Sequence, residues 1–200
     1  MQAISTWFQK ILSTAIRLYF QEECEVKSLY EITPPASPLW TRLSGRTEEN
    51  LSFEEKVLLT LAFMPHIEPQ ALDILYLQNK KLDRPYTEFG GWKGTLHGGF
   101  LPTGETAAFI IAGNNLEKRQ EVISLLSIEH WLSQEDLVHC EGQGEGEPFL
   151  SGRLIVSEEI LAQLNHKTYE PICNNLFPAK RITTSLEWND LVLPYYLREE

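Results

Sequence analysis

The chain has 200 residues and a mass of 23.0 kDa, enough for one domain of about 100–150 residues with appendages or for two small ones. Its 28 acidic against 17 basic side chains leave a formal charge of −11, so the molecule as a whole repels phosphate backbones and anionic lipid surfaces. A hydrophobic fraction of 42%, with 10% aromatic residues, supports a real core and excludes disorder of the whole chain.

Residues 2–22 place Ile4, Trp7, Phe8, Ile11, Leu12, Ala15, Ile16 and Tyr19 at helical spacing, opposite Ser5, Gln9, Lys10, Ser13 and Arg17. The pattern predicts an amphipathic helix that packs on the body of the protein or on a neighbouring subunit, anchored by Trp7, Phe8 and Ile11. Lys10 and Arg17 interrupt the run where a secretory leader needs about 7–15 uncharged residues. No stretch reaches the roughly 18 uncharged apolar residues of a membrane span. Three cysteines, Cys24, Cys140 and Cys173, form an odd set without close spacing, which suits a reducing compartment and free thiols. A cytoplasmic protein is expected.

From Thr33 to Asn50 three prolines among small polar residues predict an extended linker or surface arm, with Trp40 available to pin it. Ser52 and Glu55 form a capping box for a second helix whose apolar face is Phe53, Val57, Leu58, Leu61 and Met64. Pro65 is expected to end it, and Pro69 to restart the chain as a short third helix through Ala71, Leu72, Leu75 and Tyr76, making a helical hairpin.

"GGWKGTLHGG" at 90–99 then reads as a flexible, exposed loop. After it, Thr103 caps and Gly113 closes a helix whose run Ala107–Ala112 is apolar all round, hence buried. Asn115 can cap a further helix over 116–127. Leu137–Cys140 and Arg153–Val156 read as strands of a hairpin with the glycine-rich tip "EGQGEGEPFLSG", and Ser157 can cap a last helix to about Leu164. The expected fold is mainly α with a small β-hairpin, an α+β winged-helix-like domain preceded by an amphipathic helix. Its parts divide as the N-terminal helix at 1–30, the linker at 31–50, the winged-helix-like domain at 51–176 and a connector at 177–200.

Sequence spacing decides the chemistry of the glycine-rich stretch. A phosphate loop needs G-x-x-x-x-G-K-[ST], so that backbone N–H groups wrap the phosphates while lysine reaches their oxygens. In "GGWKGT" Gly94 separates Lys93 from Thr95, and the pattern fails. "GQGEGE" at 142–147 matches only the first glycine pair of the dinucleotide fingerprint and carries Glu145 and Glu147, which repel pyrophosphate. No nucleotide or other cofactor is expected. His97 and Glu105 are the nearest acid–base pair, but Glu105 falls in a first helical turn where the dipole favours a carboxylate without catalysis. His139, Cys140, His166 and Cys173 have zinc-ligand chemistry, yet adjacent strand residues point to opposite faces and could not easily share one ion. Cations cluster at Lys80, Lys81, Arg84 and Lys93 and at Lys118 with Arg119, each diluted by acidic neighbours.

The runs "HGGFLPTGETAAFIIAGNNLEKRQ" and "LFPAKRITTSLEWNDLVLP" resemble the N-terminal winged-helix region that precedes the AAA+ module in bacterial ATPases often encoded beside contractile injection systems. The resemblance spans roughly residues 50–200. The chain stops at Glu200, where that family's Walker motifs would begin to appear, so no ATPase residue carries over. The resemblance implies a non-catalytic adaptor that contacts proteins, self-association included; a DNA-binding regulator is the alternative, disfavoured by the acidic hairpin tip. The surface expected to make those contacts comprises Trp92, Lys93, His97, Phe100 and Glu105, with Trp7, Phe8 and Ile11 of the first helix.

Overall fold

The computed structural model describes residues 2–38, 40–41, 50–142, 144–158 and 160–161, all within the first of two compact units, Met1–Lys167. The helix expected from Ser157 starts there, with Ile160 N donating to Ser157 Oγ at 3.4 Å and Leu161 N to Ser157 O at 3.2 Å. Its continuation to Leu164, residues 42–49 of the expected linker, the second run carrying the resemblance, His166, Cys173 and the connector at 177–200 lie outside the described residues.

Helix α1, Gln2–Tyr19, turns its apolar stripe inward: Ile4, Trp7, Phe8, Ile11, Leu12, Ala15 and Ile16 are all buried. Burying side chains of this size contributes about 1.5–3 kcal/mol each. The helix therefore docks on the body of its own chain. Trp7 Nε1 donates to the Ile32 carbonyl at 3.1 Å, and its ring meets Trp40 and Phe53 edge-on. Trp40 is wholly buried and donates to the Pro35 carbonyl at 3.2 Å, so the proline-rich segment is pinned where it passes over the core.

Helix α2, Phe53–Ile67, begins at the expected capping box: Ser52 Oγ accepts from Glu55 N at 3.1 Å, and Glu55 Oε2 accepts from Ser52 N at 2.7 Å. Pro65 does not end it. The missing N–H costs one backbone bond, but only two residues follow, and Glu68 N closes the helix on Met64 O at 2.8 Å while Phe63 and Met64 stay buried. In place of the expected third helix there is a turn at 68–72 and a single 3₁₀ turn, Asp73–Tyr76. A second β-hairpin follows, β1 (Gln78–Asn79) with β2 (Arg84–Pro85), which the sequence pattern did not announce.

Helix α3, Gly104–Ala112, is buried throughout except at Glu105, as its uniformly apolar sequence predicts. The turn Gly113–Asn115 leads into α4, Leu116–Leu125, whose cap Asn115 accepts from Glu117 N and Lys118 N at 3.0 and 3.1 Å. A four-residue helix α5, Trp131–Gln134, precedes the hairpin of β3, Val138–Glu141, and β4, Arg153–Val156, paired Val138 to Val156 through Glu141 to Arg153. Against the other edge of β4 lies the extended segment 101–103: Leu154 N donates to Pro102 O, Gly104 N to Gly152 O, and Thr103 bridges Arg153. Among the described residues the fold is thus mainly helical with two small two-stranded antiparallel sheets.

Candidate functional site

The glycine-rich stretch is clasped at its base and free at its tip. Gly90 (φ 62°) and Gly91 (φ 86°) hold positive φ, and a Cβ on Gly90 would sit 2.4 Å from Thr103 Oγ1. Gly91 N donates to that same Thr103 Oγ1 at 3.1 Å, and Thr106 Oγ1 donates to the Phe89 carbonyl at 2.9 Å. Trp92 N donates to Leu101 O at 2.9 Å, and the Arg153 guanidinium lies 5.0 Å from the Trp92 ring centre. At the far end Phe100 N donates to Asp73 Oδ1 at 2.9 Å, and the Tyr76 hydroxyl to the Gly99 carbonyl at 2.9 Å. Only the tip around Lys93, Thr95, Leu96 and Gly98 stands in solvent, with Leu96 99% exposed. The expectation of a flexible, exposed loop over all of 90–99 is corrected accordingly.

The expected contact residues therefore separate. Lys93 is exposed. Trp92 is half-covered beneath Arg153, and Phe100 is buried against Tyr76, so both support the loop from below. Trp7, Phe8 and Ile11 are consumed by the chain's own core and offer no outer surface. Glu105 binds Arg119 through both oxygens, at 2.6 Å each, and among the described residues no hydrogen bond joins it to His97. His97 instead lies by Gly99: a Cβ placed there would meet His97 Nε2 at 2.8 Å and Asp73 Oδ1 at 3.3 Å. His97 Nε2 is buried without a hydrogen-bond partner among the described residues. Desolvation, and then the His97 imidazole nearby, hold His66 below its usual value.

The cations of α4 are also committed. Besides the Arg119–Glu105 fork, Lys118 Nζ lies 3.5 Å from Glu54 and from Glu121, and 4.7 Å from the Tyr30 ring centre. The Tyr30 hydroxyl donates to Glu54 at 2.6 Å. Burial alone would raise the Glu54 carboxyl, but Tyr30 and Lys118 win and hold it below its usual value. Tyr30 and Lys118 of this network line an open cleft of roughly 300 Å³ together with Ala15, Leu18, Phe109 and Ile110. Its walls come from residues 15–30 and 109–118, far apart in the chain, so no local motif signals it.

Cys140 is half-buried, with Sγ 3.3 Å from the Gly152 carbonyl, and burial pushes its thiol up. The neighbouring His139 turns to Asp136 and Glu141, at 3.4 and 3.8 Å. The two side chains thus diverge as strand geometry requires. Among the described residues no cluster of His, Cys, Asp or Glu could hold a metal ion, and no helix is long and apolar enough to cross a membrane. No family model matches the chain, and no curated protein or solved structure is significantly similar to it.

Proposed function

We propose that the chain is a non-catalytic winged-helix-like protein-interaction module, an adaptor of the kind that precedes AAA+ ATPase modules beside contractile injection systems. The order of parts supports the fold half of this reading: α2, the extended segment 101–103 on the edge of β4, α3, a three-residue turn, α4, and the β3–β4 hairpin. The resemblance of two runs of sequence supports the ATPase connection.

One observation carries the choice of protein over DNA. In a winged helix that reads DNA, the second helix of the pair presents its cations to phosphates and base edges. Here both cations of α4 are bound to carboxylates of this chain, and the exposed side chains of the helix are Leu116, Glu117, Gln120, Glu121, Ile123 and Ser124, none of them basic. Such a face suits a protein surface.

An electrophoretic shift assay on random duplex DNA at low salt tests the choice. The reading predicts no shift up to tens of times the protein concentration at which control DNA-binding domains saturate. A tight, salt-sensitive shift would overturn it in favour of a DNA-binding regulator. The ATPase connection is tested by the reading frame past Glu200, where a Walker A motif is the expected finding.

A further inference from the structure

Ten large hydrophobic side chains are exposed among the described residues, and eight of them fall in two groups of opposite charge. Ile74, Tyr76, Leu77, Leu82 and Leu96 belong to a lobe built by residues 73–101. Its two excursions, the β1–β2 hairpin and the tip of the glycine-rich loop, both leave from the point where Tyr76 holds Gly99 and Asp73 holds Phe100. The lobe also carries Lys80, Lys81, Arg84 and Lys93, all exposed, and among the described residues none of the four forms an ion pair. The same stretch holds Asp73 and Asp83, both exposed, and the half-buried Glu88, so four cations stand against three carboxylates and leave the lobe weakly positive in a chain of charge −11.

The second group is Leu116, Ile123 and Ile128, on α4 and the turn after it, with Leu116 78% and Ile128 84% exposed. Glu117, Glu121 and Glu129 are exposed among them. Lys118 and Arg119 do not neutralise this face, because Glu54 and Glu105 hold them at its edge. Lys118 is shared between Glu54 and Glu121 at 3.5 Å each, so it offsets part of the Glu121 charge and leaves Glu117 and Glu129 as the carboxylates of the face without an ion pair among the described residues.

We propose that the chain associates head to tail with a second copy of itself, the basic apolar lobe of one copy seated on the acidic apolar α4 face of the next. This rests on the reading of the chain as a protein-interaction module and names its partner. Each surface supplies what the other lacks, apolar area to cover and charges of opposite sign to set the register. The two surfaces differ, so the contact is heterologous and builds a closed ring or an open chain. A nucleic acid would also be attracted to the four cations, but a long polyanion must pass the rest of a −11 surface, whereas a face with three glutamates need not.

The test is the mass of the full chain in solution, by light scattering or sedimentation at about 100 µM, above the micromolar Kd expected of an interface of modest area. The expected wild-type mass exceeds 23.0 kDa by whole multiples and falls on dilution and with added salt. A lobe variant, Leu82→Ser with Lys93→Ser and Leu96→Ser, is expected to run as a monomer. So is a face variant, Leu116→Ser with Glu121→Ser and Ile128→Ser. Mixed one to one, they are expected to give a species of twice the monomer mass and nothing larger, because one intact lobe meets one intact face and the remaining surfaces are spoiled. A monomeric wild type, or a mixture that stays monomeric, would overturn the proposal, as would a lobe variant that still associates. If a triple substitution lowers the unfolding midpoint, the dilution and salt dependence of the wild type still decides. Failure here leaves the module reading standing on its own assay, in which duplex DNA is the competitor.

Discussion

Replacing Gly90 by alanine is expected to destabilise the protein far more than replacing any exposed glycine of the same loop. Gly90 sits at φ 62°, ψ −136°, a region that side-chain-bearing residues rarely adopt, and occupying it costs about 1–3 kcal/mol. The added Cβ would meet Thr103 Oγ1 at 2.4 Å, Glu105 Cβ at 2.8 Å and Thr106 N at 2.9 Å. These atoms form the start of α3 and cannot retreat without breaking the Gly91 to Thr103 bond, so overpacking adds about 1–3 kcal/mol. The sum, about 2–6 kcal/mol, corresponds to a fall in Tm of roughly 4–24 °C for a chain of this size. Two controls separate the causes. Gly113→Ala shares the positive φ (53°) but meets nothing within 4 Å, so it carries the backbone cost alone; Gly98→Ala has neither and should stay within about 0.5 kcal/mol of wild type. Thermal and urea unfolding followed by far-ultraviolet circular dichroism measures all three. A Gly90→Ala protein as stable as Gly98→Ala would refute the view that the loop is clasped at its base.

Arg119→Ala, which strips both partners from the Glu105 carboxylate, is expected to cost about 1–2 kcal/mol, between an exposed and a buried pair, and a double-mutant cycle with Glu105→Ala should show most of it as coupling. Trp131→Phe removes the 2.6 Å bond to the buried Glu55 and should cost about 1–3 kcal/mol in urea unfolding. Burial, and then the hydrogen bond to Glu88, push the Tyr19 hydroxyl up to about 12 from 10.0. The folded state therefore holds this proton more tightly than the unfolded chain. Its contribution is complete below pH 10 and is lost as pH rises towards 12, so Tyr19→Phe should flatten that part of the stability–pH curve. For His66 a titration by NMR should give a midpoint below 6.5, moving upwards in His97→Ala.

Local signals were legible in the sequence. The Ser52–Glu55 box, the Asn115 cap and the uniformly apolar α3 each depend on residues within a turn or two of one another, and each stands where expected. So do β3 and β4, because alternating residues bounded by a glycine-rich tip specify a hairpin. Pro65 stays inside α2 because only its own N–H bond is forgone and the helix closes just beyond it, on the Glu68 N to Met64 O bond. Most of what escaped depends on distant partners. The glycine-rich loop is anchored by Asp73, Tyr76 and Arg153, which no window around residue 95 contains. Likewise, the sequence shows Lys118 and Arg119 as adjacent cations, and only the fold shows that Glu54 and Glu105 already hold them.

The central claim is that this chain meets proteins through its exposed apolar surfaces. Photo-crosslinking in the cells that express it, with benzoylphenylalanine in place of Leu96 in one strain and of Ile128 in another, tests it most directly, since both side chains stand in solvent. Discrete protein adducts at both positions, with none at the exposed control Ser13 on the outer side of α1, are the predicted result. Adducts to nucleic acid alone, or none at either position, would contradict it.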